Sequence, residues 1–193
     1  NGEDCWIDNL SLKEVQMGNH GTTTFTKQMI SSTANNREFT NGATTNWVEF
    51  YGSPSGTVAV NDARDNLLCT IHGSSTQGGC KLDLSTYGTG GTVVGRTYKI
   101  SVDALCDDAT NTFRIGMGGT SDEQDQTITG SNVTYTYTFV ATGASTDLAF
   151  FFTGVDSGTE LTIDNVSLEE IGVADGWTTA DAEPLIPQTA LMG

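Results

Sequence analysis

The chain has 193 residues, room for one ordinary domain with flanking segments. Eight Lys and Arg stand against 24 Asp and Glu, a formal charge of −16, which argues against nucleic acid and anionic lipid as partners because both are held by clustered cations. No apolar run approaches the ~20 residues of a membrane helix, while 36% hydrophobic and 17% charged residues suit a packed core rather than disorder.

The first residues, Asn1-Gly2-Glu3-Asp4, carry neither Met nor a basic stretch, so the segment is expected to start within a longer protein. Residues 6–15, WIDNLSLKEV, match residues 162–171, TIDNVSLEEI, at almost every position. Counted from Ile7 to Ile163 the offset is 156 residues, the length of a β-sandwich domain rather than of a solenoid repeat. Residues 1–17 therefore read as the last strand of an upstream copy, or as a strand donated to a neighbouring subunit's sheet edge, with linker over 18–36.

From there short alternating runs recur between Gly, Asn, Ser and Thr turns, and no segment sustains a helical period. Trp47-Val48-Glu49-Phe50-Tyr51 is the first clear run. Leu67, Cys69 and Ile71 share one face, as do Cys80, Leu82 and Leu84. Tyr98, Ile100, Val102 and Ala104 alternate with polar residues, as do Phe113, Ile115 and Met117, then Val133, Tyr135, Tyr137 and Phe139. Leu148 to Phe152 is continuously apolar, as expected of a strand covered on both faces. Roughly eight to ten strands at this spacing predict an all-β sandwich or barrel over 37–172. Residues 173–193, with Pro184 and Pro187 and no alternation, read as an extended linker.

The last strand has a phase slip. Leu161 and Ile163 set one parity, Val166 and Leu168 the other, so a β-bulge near Asp164-Asn165 is required. A bulge re-aims Asp164 toward the sandwich edge, where its carboxylate either caps backbone N–H groups or ligates a metal.

Four stretches in order carry a resemblance: Phe39-Thr-Asn-Gly leading to Asn46-Trp47, Gly95-Arg-Thr-Tyr-Lys-Ile-Ser-Val-Asp103, Tyr135-Thr-Tyr-Thr-Phe-Val-Ala-Thr-Gly143, and Leu161-Thr-Ile-Asp-Asn-Val-Ser-Leu168. Together they resemble carbohydrate-binding modules of the cellulose-binding, CenC-like jelly-roll type, and more closely the tandem copies of such modules in tail and other virion proteins of marine bacteriophages. The resemblance covers about residues 37–171. It implies a jelly-roll β-sandwich of galactose-binding-like architecture, placed at a virion surface or tail, or alternatively in a secreted bacterial protein. It implies a polysaccharide or surface glycan as partner, with other copies of the chain or virion proteins beside it. Host attachment or decoration is the implied task, and a purely structural subunit joined through its terminal strands is the alternative. Modules of this type commonly hold a structural Ca²⁺ with the Asp of the last strand, which is Asp164 here. Glu38 and Asn41 are further oxygen donors by position, and a hard cation wants six to eight oxygens.

Sugar binding needs exposed rings beside polar groups that read hydroxyls. Trp47 and Tyr51 share a parity with Glu49 and are the expected glycan-facing set, whereas Tyr135 and Tyr137 share a face with Val133 and Phe139 and read as core. The acidic run Asp122-Glu123-Gln124-Asp125 lacks EF-hand spacing and reads as a solvated loop. Neither His20 nor His72 lies in a zinc or nucleophile pattern, so no enzyme is expected. Cys69 and Cys80 flank a Gly/Ser segment suited to a hairpin disulfide, but they alternate like core residues, which favours free thiols.

Overall fold

The computed structural model describes residues 26–51, 56–71, 77–108, 112–153 and 158–172. The upstream strand copy and the C-terminal linker expected at 1–17 and 173–193 lie outside them.

The strands are β1 (Thr26–Gln28), β2 (Val48–Phe50), β3 (Gly56–Asn61), β4 (Asn66–Ile71), β5 (Gln77–Asp83), β6 (Thr97–Cys106), β7 (Thr112–Met117), β8 (Glu123–Thr127), β9 (Val133–Val140), β10 (Asp147–Thr153) and β11 (Glu160–Ile171). Two one-turn helices interrupt them, α1 (Thr33–Asn36) and α2 (Leu84–Tyr87). One sheet runs β3-β4-β11-β6-β9 with β1 added on β11; the other runs β2-β5-β10-β7-β8. All pairings are antiparallel. The expected jelly-roll β-sandwich is the fold.

The core is what the period of two dictates. Leu67, Ile71, Leu82, Ile100, Val102, Phe113, Ile115, Leu148, Phe150, Phe152, Leu161 and Leu168 are all sealed from solvent between the sheets. Each such side chain contributes about 1.5–3 kcal/mol of burial. Tyr135 joins them and Tyr137 packs against them, as the shared parity implied.

The phase slip in β11 is a bulge, with the register against β6 shifting between Asp164 and Ser167. Asn165 takes a positive φ of 48° there, a conformation Asn tolerates better than most residues. The slip keeps both Ile163 and Val166 inside. It also frees the Val166 backbone, which Arg37 catches twice: Val166 N–H donates to the Arg37 carbonyl, and Arg37 Nε donates to the Val166 carbonyl, both at 3.0 Å.

The linker expected over 18–36 is corrected from Thr26 onward. β1 pairs with Glu169–Ile171 of β11, and Met29 and Ile30 are buried in the core. The Gln28 amide oxygen accepts from the N–H groups of Ile30 and Leu168. A three-residue strand is too short to show alternation, so the signal was not in the period. No helix among the described residues is long and apolar enough to cross a membrane.

Candidate functional site

The five-stranded sheet has an outer face built by strict alternation. On β10 Leu148, Phe150 and Phe152 point inward, so Asp147, Ala149, Phe151 and Thr153 point out. The register then sets Phe151 beside Gly79 of β5 and Arg114 of β7, and Ala149 beside Lys81 and Gly116. Phe50 of β2 also pairs with Gly79, so two rings flank a residue without a side chain. Glycine is obligatory there, since a Cβ would lie 2.1 Å from the Phe150 carbonyl oxygen. Phe50 and Phe151 close over it with ring centroids 5.1 Å apart, and Tyr51 completes the cluster at 4.3 Å from Phe50 and 5.2 Å from Phe151. Phe151 is buried by its neighbours while Tyr51 stays 43% exposed.

Cations edge this aromatic cluster, each held by carboxylates. Lys81 Nζ lies 5.9 Å from the Phe50 centroid and pairs with Asp147 at 2.8 Å. The Arg114 guanidinium lies 5.7 Å from the Phe151 centroid and pairs with Asp125 and, at 3.7 Å, with Glu123. A cleft of about 470 Å³ continues from Lys81 and Asp147 toward Val48, Asp83 and Tyr87. Such a surface offers apolar ring faces for sugar C–H groups and paired charges as hydrogen-bond donors and acceptors.

The acidic run from Asp122 is not the solvated loop expected. Glu123 to Thr127 form edge strand β8, and register with β7 turns Glu123 and Asp125 toward Arg114. Asp122 is buried, its carboxylate accepting from the Thr142 N–H, the Thr142 hydroxyl and the Gly143 N–H. Burial pushes the Glu123 carboxyl above the usual carboxylate range; Arg114 pulls against this and Asp125 adds to it. A raised acid favours folding only while protonated, a contribution complete below the unfolded-state pKa and lost as pH rises through the folded one. Glu123→Gln is therefore expected to raise the melting temperature at pH 7 and leave it unchanged near pH 4, as read by thermal melts at both values.

Of the three residues expected to face a glycan, Trp47 and Glu49 line one cleft and Tyr51 parts from them. Tyr51 is on the outer face, because β2 ends there and a φ of 68° swings the ring over Phe50 and Phe151. A positive φ is costly for an aromatic residue and marks a position held by its surroundings. Trp47 is corrected: it is 2% exposed, stacked on Phe150 at 5.4 Å and edge-on to Phe39 at 6.3 Å. Its indole N–H donates to the Asn36 carbonyl at 3.1 Å, which satisfies its one polar atom inside the core. Glu49 shares the Trp47 parity but stands exposed on an edge strand, in a shallow cleft of about 390 Å³ lined with it by Val48, Val58 and the edge of Trp47, rather than beside the Tyr51 cluster.

The residues expected to hold a metal gather at the β11 bulge. Asp164 Oδ1 accepts from the Asn165 N–H at 2.7 Å. Burial pushes its carboxyl above the usual range against that bond, and the charges of Asp103, Glu38 and Asp65 add to the rise. Asn41 sits beside them: its N–H donates to Asp65 Oδ1 at 2.6 Å and its side-chain amide to the Asp62 carbonyl at 3.0 Å. Asn66 opens β4 one step beyond the Leu67–Ile163 pair, and its Oδ1 is buried without a hydrogen-bond partner. Among the described residues no three His, Cys, Asp or Glu side chains converge closely enough to hold a metal by themselves. A cation here would have to draw on amide and backbone oxygens, which suits a hard ion such as Ca²⁺.

No protein-family model and no curated protein matches this sequence. Solved structures do. A CBM4 carbohydrate-binding module superposes at TM-score 0.50 and 17% identity, over 65% of this chain and 94% of that one. The CBM22-1 xylan-binding domain of Paenibacillus barcinonensis Xyn10C superposes at 0.50 and 15% identity, over 72% of this chain and 94% of that one. An arabinose-bound GH51 α-L-arabinofuranosidase superposes at 0.54 and 15% identity, over 77% of this chain but only 27% of the enzyme. The chain has the fold of a carbohydrate-binding module. Within that carbohydrate-binding-module fold, the sequence reading missed Phe50, Phe151, Lys81 and Arg114 on the outer face. One signal was present: Phe151 lies at outward parity within a run apolar on both faces, which requires something to cover it.

Proposed function

We propose that the outer face of the β2-β5-β10-β7-β8 sheet binds a polysaccharide without catalysis, and that the chain is a glycan-binding module. The observation that carries this is Tyr51, an exposed ring held at positive φ over Phe50 and Phe151, with a cleft nearby that Lys81, Asp83 and Asp147 line together with Val48 and Tyr87. Aromatic surface of this kind is what a pyranose ring stacks on. The carboxylate pairs supply hydroxyl-reading groups without a net positive field. Weak contacts of this sort gain from multiple copies, where linkage raises avidity by about 10²–10⁴. The proposal extends, on the resemblance of the ordered sequence motifs, to a module of a virion surface or tail-fibre protein that attaches to host glycans.

The same reading includes a structural Ca²⁺ at the β11 bulge, held by Asp164 with Asn66 Oδ1, Glu38, Asp65 and Asp103 near it. Supporting it are the buried amide oxygen without a partner and the Asp164 carboxyl, raised first by burial and further by the charges of Asp103, Glu38 and Asp65. Bound there, the cation would offset repulsion among the carboxylates and fix the bulge.

The test is affinity electrophoresis or calorimetry of the whole chain against a panel of bacterial and algal polysaccharides, with Ca²⁺ present. Tyr51→Ala is expected to weaken binding roughly 10-fold and to lower the melt only by a few degrees, since one stacked ring contributes about 0.5–1.5 kcal/mol. Trp47→Ala would lower stability instead, because that ring lies in the core. Absence of binding by the unmodified chain across the panel would overturn the proposal.

A further inference from the structure

Cys69 and Cys80 lie in different sheets, on β4 and β5, yet the chain brings them face to face. Ile71 at the end of β4 sits directly on Gly78 of β5. A Cβ at Gly78 would lie 2.9 Å from Ile71 Cγ1. Two residues back along β4 and two forward along β5 keep both chains on their inward faces and set Cys69 against Cys80. Both are sealed in the core at 2% and 0% exposure, and both carry free thiols. The two thiols interact directly, and burial together with the facing Cys69 thiol pushes the Cys80 pKa well up. A high thiol pKa and burial make the pair inert while the sandwich stays closed. Cys106 differs. It is buried next to Asp107 on another strand, and burial pushes its thiol up to about 11.

We propose that Cys69 and Cys80 are a latent cross-sheet disulfide, formed when the chain folds in the presence of a disulfide-class oxidant such as oxidised glutathione. One cysteine thiolate attacks a glutathione sulfur and releases one glutathione thiolate, giving a mixed disulfide on the protein. The second cysteine thiolate attacks the protein-side sulfur of that mixed disulfide and releases the other glutathione. The S–S bond of the oxidant breaks and one protein S–S bond forms. Two protein thiol protons leave, and two glutathiones end reduced. The bond clamps the six-stranded sheet to the five-stranded one through the core. Once the sandwich has closed without it, the same exchange waits on unfolding that exposes the two buried thiols.

The test needs no variant. Arg64 and Lys81 bracket both cysteines, so tryptic peptide Asp65–Lys81 carries the pair by itself. The whole chain is unfolded, refolded in a mixture of reduced and oxidised glutathione, alkylated without reduction and digested. The expected peptide is about 2 Da lighter than its thiol form and carries no alkyl group, with Cys106 alkylated. Refolded this way, the chain is expected to melt roughly 6–12 °C above the reduced chain. The doubly substituted Cys69→Ala/Cys80→Ala chain should show no such difference between the two buffers. Finding Asp65–Lys81 with two alkylated thiols, with glutathione attached, or cross-linked to another cysteine overturns the proposal.

Discussion

Replacing Phe150 by alanine is expected to cost about 3–5 kcal/mol of folding free energy, the range for a fully buried aromatic ring. For a chain of this size that lowers the melting temperature by roughly 6–20 °C. The ring is sealed from solvent and stacks between Trp47, 5.4 Å away at 20°, and Phe113, 6.4 Å away at 29°. Its strand is central, bonded to β5 on one side and β7 on the other, so the backbone is fixed and little can collapse into the space. The indole of Trp47 is pinned by its bond to Asn36, which further limits relaxation. Urea or thermal unfolding measures the loss. A cost under ~1.5 kcal/mol would mean that Trp47 and Phe113 close the gap, contrary to the rigidity argued here.

Phe150 and its neighbour Phe151 show where sequence reading reaches and where it stops. The alternation in β4, β6, β7 and β9, and the apolar run of β10, rest on a period of two that one strand carries by itself. The bulge was legible for the same reason, since two inward parities in one strand admit no other repair. Phe151 was legible only as a covered residue; what covers it depends on cross-strand register, which places Gly79 and Arg114 beside it and Phe50 one strand beyond. Trp47 went astray because β2 is three residues long. Glu49 shares its parity, yet on an edge strand one position can be exposed while the residue two before it packs against Phe39. Tyr51 was found for a reason that does not hold: the parity assigned it to the Trp47 side, and a backbone turn at positive φ moved it to the other face. The ion pairs of Lys81 and Arg114 join residues 66 and 11 apart in sequence, so only the fold can match them.

Ca²⁺ is expected to raise the melting temperature by roughly 8–16 °C when its free concentration exceeds the dissociation constant about 1,000-fold, a stabilisation of about 4 kcal/mol. Asp164 is partly buried at a bulge, with Asp103, Glu38 and Asp65 close enough to oppose its ionisation. Two of these carboxylates already accept from local donors: Asp103 from Thr134 and Asn165, and Asp65 from Asn41. Those bonds hold the oxygens in place, yet they leave the shared negative charge uncompensated. A divalent ion supplies that charge, and Asn66 Oδ1, buried without a donor, gains a partner at the same time. Simple screening predicts a different pattern, in which sodium chloride at matched ionic strength would do as well as calcium. Mg²⁺ should do less, because it demands a tighter octahedron and keeps its waters. Melts in EDTA, in Ca²⁺, in Mg²⁺ and in matched sodium chloride separate these cases. Asp164→Asn should remove the calcium increment while leaving the EDTA melt equal or higher, since a neutral amide relieves the repulsion. An unmodified chain that melts identically in EDTA and Ca²⁺ would sink the cation and leave Asp164 with a single task, holding the Asn165 N–H at the bulge.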